Sequence, residues 1–194
     1  ATDATTLFAP ALSASSKAEA IAALLPEVRK PGNVDAGRTL FAGACAVCHK
    51  LGDVGLRDVG PPLAGIGSHD PADLLTHIID PNRQVEPNYW QWNVTLKNGD
   101  VASGVIVGET ATTLTLRDQG GDTELRAADI AQRENTRRSL MPEGYEGLGA
   151  ESLRNLIAYL ASQAGPPSTP PTVAAPAPAS PAPATPNLRP KAGG

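Results

Sequence analysis

No apolar run in the 194 residues approaches about 18, the length of a bilayer-spanning helix, so no segment reads as a membrane span. Cysteine is scarce: Cys45 and Cys48 are the only two, and without a third neither can enter a long-range disulfide. A bridge between them would close so short a loop that it would add little stability, so the pair is there for chemistry. Positive charge is also short. Sixteen Lys and Arg face 20 Asp and Glu, and with Arg189 and Lys191 in the tail the body before Gly165 holds 14 against 20. Such an acidic body is a poor binder of phosphate backbones, which argues against nucleic acid as the main partner. The chain lacks an initiator Met and a charged segment followed by an apolar one. A start at Ala1-Thr2-Asp3 is what a mature, signal-cleaved chain would show, and an expression form would look the same.

The last 30 residues contain no aromatic residue and almost nothing that could form a core, yet hold 10 of the 19 prolines and seven alanines. Runs such as Ala175-Pro176-Ala177-Pro178 predict an extended, semi-rigid spacer over 164–194. The foldable chain divides into an N-terminal arm with a short helix, 1–33, and a body, 34–163. In the arm, Ser13 or Ser15 can cap a helix from about Ser16 to Leu25, halted by Pro26. Asp35 can cap a second helix through Leu40 and Phe41 that delivers the cysteines at its end. Asp70, Pro71 and Asp73 form a strong start for a third, with Leu74, Leu75, Ile78 and Ile79 on one face and Pro81 as terminator. From Tyr89 the period changes to two. Trp90, Trp92, Val94 and Leu96 alternate with polar residues, which predicts inner-face positions for both tryptophans, and Asn98-Gly99 marks a hairpin. Strands follow at Val101–Val107, Thr112–Leu116, Thr123–Arg126 and about Ile130–Arg133. The strand-rich stretch spans about 89–134 as a small antiparallel sheet or barrel. Helix returns at Ala150–Ser162, where Leu153, Leu156, Ile157 and Leu160 repeat at helical spacing.

Cys45-Ala46-Val47-Cys48-His49 is the sequence signal of covalent haem attachment. Two thiols one turn apart reach the two vinyl groups of one porphyrin, and the adjacent imidazole of His49 then lies below the iron as proximal ligand. Its other ring nitrogen needs an acceptor, and Gly60-Pro61-Pro62-Leu63-Ala64-Gly65 offers the Pro61 carbonyl. Met141 is the only methionine, placed in Ser139-Leu140-Met141-Pro142 just before the last helix. A thioether opposite an imidazole favours ferrous iron and blocks small-molecule access, which suits electron transfer. One haem c with iron held by His49 and Met141 is therefore the expected cofactor.

Gly37 and Phe41 ahead of Cys45-x-x-Cys48-His49, then Gly60-Pro61-x-Leu63-x-Gly65, the Met-Pro loop, and a last helix ending Leu156-Ile157-Ala158-Tyr159-Leu160 together resemble a class I cytochrome c. The resemblance implies a mainly α fold in which the first and last helices cross, with Gly37 allowing close approach on the Tyr159 side. It also implies that Pro61 accepts from the proximal histidine. The chain departs from the compact pattern in one respect: 92 positions separate His49 from Met141, and the excess is the strand stretch. That arrangement is similar to the haem-binding domain family of planctomycete and verrucomicrobial proteins. The shared elements are Cys45 to Lys50, Gly60 to Leu63, Gly99-Asp100 with Gly104, and Ser139 to Pro142. The likeness covers about Val34 to Ala161.

Other signals have other readings. His69 and His77 could serve as axial ligands or, with Cys45, Cys48 and His49, as a zinc site, but zinc usually needs a second tight ligand pair and neither has a Cys or His close by. Their expected roles are a solvent-facing residue near the Asp70 cap and a residue on the polar side of its helix. A thioredoxin-like dithiol would need a strand before Cys45, where helix is expected. Tyr89, Trp90 and Trp92 could line an electron path, and Arg83, Arg137 and Arg138 could neutralise haem propionates, although surface solvation accounts for the arginines as well. The pattern from Val94 to Asp100 is similar to that of Sm-like small barrels, without carrying RNA binding to this acidic body. The function expected is electron transfer, as a carrier or as the haem subunit of a larger redox complex, and not enzymatic catalysis. The alternative is a haem enzyme or gas sensor whose sixth ligand is labile. Partners would be redox proteins such as a dehydrogenase, oxidase or reaction-centre complex, with membrane contact only through them, in the bacterial periplasm.

Overall fold

The computed structural model describes residues 13–55 and 58–163; the expectations for the leader and the Pro/Ala tail fall outside these residues. Four α-helices and five strands make the described chain mixed, so "mainly α" fits its helical body and not the whole.

Helix α1 runs Ala14–Val28, with the Ser13 side chain accepting the Ser16 N–H at 3.2 Å. It does not stop at Pro26. Proline lacks the N–H for one helical bond and disfavours helical backbone before it, but the last turn survives because Val28 is buried and the Arg29 N–H reaches Leu25 O at 3.3 Å. Helix α2 spans Val34–Ala44 and is capped by Asn33, whose side chain accepts from Ala36 N–H at 3.0 Å. Asp35, expected as the cap, lies instead in the first turn, where its negative charge suits the helix dipole. Helix α3, Pro71–Ile79, begins as its sequence predicts: Asp70 accepts from Ala72 N–H at 2.8 Å, Pro71 opens the helix, and all four apolar residues of its face are buried. Helix α4 spans Gly149–Ala161.

These helices share one core built from Val28, Phe41, Leu74, Leu75, Ile78, Ile79, Leu153, Leu156, Ile157, Tyr159 and Leu160, with Ile21, Leu24 and Leu25 of α1 packed on it. Helices α2 and α4 make the closest crossing. A Cβ on Gly37 would collide with the Asn155 carbonyl and lie 2.7 Å from Tyr159 Cβ, so a residue without a side chain is what allows the approach. The Phe41 and Tyr159 rings meet there, tilted at 52° with centroids 5.5 Å apart.

Strands β1 (Trp90–Leu96), β2 (Val101–Glu109), β3 (Thr113–Arg117), β4 (Asp122–Arg126) and β5 (Ile130–Ser139) form one antiparallel sheet in the order β4-β3-β2-β1-β5. The sheet therefore runs to Ser139, five residues beyond the expected 134. The second half of β5, Glu134-Asn135-Thr136-Arg137-Arg138, lacks any apolar alternation because it is an edge strand paired only with β1, and such edges favour charge. Gly99 turns the β1–β2 connection at φ +92°, with Leu96 N–H donating to Asp100 O at 2.8 Å. Val94, Leu114, Leu116 and Leu125 form a second core, against which Trp92, Leu96, Ala102, Ile106 and Ile130 pack. Trp90 is outside it. The β1–β5 register shifts between Trp90 and Trp92, which breaks the alternation, and the Trp90 indole N–H donates instead to Val85 O at 3.1 Å.

Candidate cofactor site

The Cys45–His49 segment leaves α2 as a tight turn. Cys45 caps the helix, its N–H donating to Phe41 O, and both Cys48 and His49 N–H groups return to Cys45 O at 3.1 and 2.9 Å. The segment containing Gly60 is tied back to it: Val59 and Gly60 N–H donate to Cys48 O, and Leu63 N–H to Lys50 O. His49 Nδ1 lies 2.9 Å from Pro61 O. A carbonyl can only accept, so Nδ1 carries the proton and the lone pair of the neutral ring is on Nε2. Among the described residues Nε2 has no hydrogen-bond partner. Gly60 makes this possible, since a Cβ there would lie 2.5 Å from His49 Cε1 and 2.9 Å from Nδ1. Burial lowers the His49 pKa, only partly opposed by the bond to Pro61, so the imidazole stays neutral and able to donate its lone pair.

Cys45 and Cys48 are free thiols, both half-buried. Burial, with a smaller contribution from Cys48, pushes the Cys45 thiol up to about 11, and burial raises Cys48 as well. Among the described residues neither has the cationic neighbour that makes a reactive thiolate, and burial raises both thiols, the opposite of what a dithiol redox motif needs. Cys45 packs against the helical core alongside Leu63, Ile66, Tyr145 and Leu148. Tyr145 carried no signal at the sequence level; burial, aided by its proximity to the two cysteines, pushes its phenol up to about 12 and keeps it protonated. Two unbridged thiols, a neutral imidazole with a free Nε2 and an apolar surround fit a covalently held haem in which His49 would ligate iron.

The remaining candidates come from other segments of the chain. Met141 is half-buried in the loop after β5, its N–H donating to Ser139 Oγ at 3.0 Å. His69 and His77 are exposed, the first beside the Asp70 cap and the second in the last turn of α3. No cluster of three or more His, Cys, Asp or Glu side chains suited to a metal occurs among the described residues. Arg83 and Arg137 are exposed, and Arg138 reaches toward Glu143 at 3.3 Å. Residues that sequence reasoning missed surround the methionine loop: Lys17, Asp80, Asn82 and Glu143 are joined there by hydrogen bonds and ion pairs across more than 60 positions.

Comparison with protein families adds one finding to this geometry. Residues 32–90 match the family described as cytochrome C oxidase, cbb3-type, subunit III. The match supports a c-type cytochrome domain. It includes α2, Cys45 to His49, Pro61, Leu63 and α3, and ends where β1 begins. Met141, α1, most of the sheet and α4 lie outside it. No curated protein matches the chain. No helix among the described residues is long and apolar enough to cross a membrane.

Proposed function

We propose that the protein transfers electrons through one haem c joined to Cys45 and Cys48, with His49 and Met141 as axial ligands. The observation that carries this reading is the His49 ring, fixed by Nδ1–H to the Pro61 carbonyl with Nε2 unpartnered, directly beside two unbridged thiols. When bound, haem c supplies an iron that alternates between ferric and ferrous states and so takes up and gives away one electron. Pro61 fixes the tautomer and orientation of His49 and raises its basicity as a ligand. Cys45 and Cys48 would supply the thioethers, and Leu63 and Ile66, packed on the same core as Cys45, would shield the group from water. Met141 would supply a soft sulfur donor that favours the reduced state and closes the site to small molecules.

With His49 and Met141 both holding the iron there would be no position for substrate, which supports transfer over catalysis. Donor and acceptor would be redox proteins, and the resemblance of residues 32–90 to an oxidase subunit family supports a place as a haem subunit or carrier of such a complex. Attachment of c-type haem outside the cytoplasmic membrane supports a periplasmic location. The Gly99-Asp100 turn, Gly104 in β2 and the Ser139–Pro142 loop support the closer likeness to the planctomycete-type family.

Visible and near-infrared spectra of the oxidised and reduced protein test the reading. Pigment that resists acid-acetone and a sulfur-to-iron charge-transfer band that disappears in Met141→Ala are expected. A colourless protein, extractable pigment, or an unchanged band in Met141→Ala would overturn it.

A further inference from the structure

The loop carrying Met141 is gripped on both sides by one side chain. Asn82, just beyond α3, accepts the Ser139 N–H on Oδ1 at 2.9 Å and donates through Nδ2 to Glu143 Oε1. Ser139 precedes Met141 by two residues and Glu143 follows it by two. Lys17 of α1 closes the bracket, its Nζ 2.9 Å from Glu143 Oε1 and 3.0 Å from Asp80 Oδ1. The Lys17 side chain is 8% exposed and that of Glu143 12%, while Arg138 approaches Glu143 from the solvent side at 3.3 Å. A buried ammonium is tolerated only where its partners replace the water it has lost, so this lysine is not surface decoration.

We infer that Lys17 and Asn82 are positioning residues that hold the Met141 loop in its ligand-bearing arrangement, making α1 a brace for the sixth coordination position. The inference rests on the assignment of Met141 as axial ligand. A protein group binds with an apparent affinity reduced by the fraction of time it is correctly placed, so loosening the loop weakens methionine ligation without touching the thioethers or His49. The brace ties the loop to α1 and to the end of α3, both parts of the helical body and neither part of the sheet.

The test uses the full-length haem-loaded protein with Lys17→Met, Asn82→Ala, Lys17→Arg and Met141→Ala. Lys17→Met and Asn82→Ala are expected to keep their haem content and helical circular dichroism, to lose most of the near-infrared sulfur-to-iron band, and to bind carbon monoxide in the ferrous state at least tenfold more tightly than the wild type. Lys17→Arg retains the ion pairs and should keep most of the band. If Lys17→Met fails to accumulate, Asn82→Ala decides on the same readouts, because it leaves the Lys17 ion pairs in place. Wild-type band and carbon monoxide resistance in the folded variants, with the band lost in Met141→Ala, would overturn the brace alone. A band that survives Met141→Ala would overturn the axial assignment and the brace together.

Discussion

Gly60 leaves no room for a methyl group: a Cβ would sit 2.5 Å from one ring atom of His49 and 2.9 Å from another. Gly60→Ala must therefore tilt the imidazole or move the Pro61 segment, and overpacking of this kind costs about 1–3 kcal/mol. The expected result is a folded protein with a lower melting temperature, whose His49 Nδ1–H, bonded to Pro61 O in the wild type, exchanges with solvent measurably faster by NMR. Unchanged exchange would mean that the ring and the glycine are not in contact. Gly43 is the control, since nothing approaches a Cβ built there and it is exposed in α2. Gly43→Ala should raise stability in thermal melts by about 0.5–1 kcal/mol, the usual helical preference of alanine over glycine. At this scale the site is legible where it is local. Cys45, Cys48, His49 and Pro61 lie within 17 positions and signal themselves by spacing, whereas Lys17, Asn82 and Glu143 are ordinary polar residues until the fold brings them together.

Among the elements, α1 is tied to the rest of the helical body by the two ion pairs of Lys17. Lys17→Met leaves Asp80 and Glu143 without their buried cation, and breaking a buried pair costs about 3–5 kcal/mol. Arg138 remains near Glu143, so a loss near 3 kcal/mol is expected by denaturant titration, while a loss below about 1 kcal/mol would show that α1 docks through its apolar face alone. The pH dependence has a definite sign. Burial, the largest single influence on Lys17, pulls its pKa down, but the bonds and charges of Glu143 and Asp80 together outweigh it and leave it above the ordinary 10.5. Its contribution is fully present below the unfolded value and lost as pH rises through the higher folded one. The melting-temperature gap between wild type and Lys17→Met should thus be widest near neutrality and narrow above about pH 10.5. Helix α3 was readable because Leu74, Leu75, Ile78 and Ile79 share one helical face, and β1 because Trp92, Val94 and Leu96 alternate. The end of α1 and the last half of β5 were not. Proline argued against the first, and the second has no apolar period because only one neighbour pairs with it and much of it faces water.

For the whole molecule, the sheet leaves the helical body and returns to it at one place. Trp90 at its start pairs with Ser139 at its end, and no residue between them belongs to the core shared by the four helices. That explains how a chain can separate His49 from Met141 by 92 positions without disturbing the crossing of α2 and α4. It also explains why the family match ends at residue 90, where the inserted strands begin. Replacing residues 91–138 with a two-residue Asn-Gly turn, a linker suited to an antiparallel pair, should leave the helical body intact. The grip of Asn82 on Ser139 and Glu143 lies outside the excised segment, as do the Lys17 ion pairs; the excision removes the Arg138 approach to Glu143, the 3.5 Å contact of Arg117 with Asp58 O and the packing of β2 on the Pro87–Tyr89 turn. The shortened protein should melt in one cooperative transition, keep its acid-acetone-resistant pigment and retain its near-infrared band. If it instead retains pigment but loses the band, the sheet supports the methionine loop from its own side, and the bracket of Lys17 and Asn82 is insufficient to hold it. Loss of both pigment and cooperativity would mean that the two cores fold as one unit despite having no residue in common.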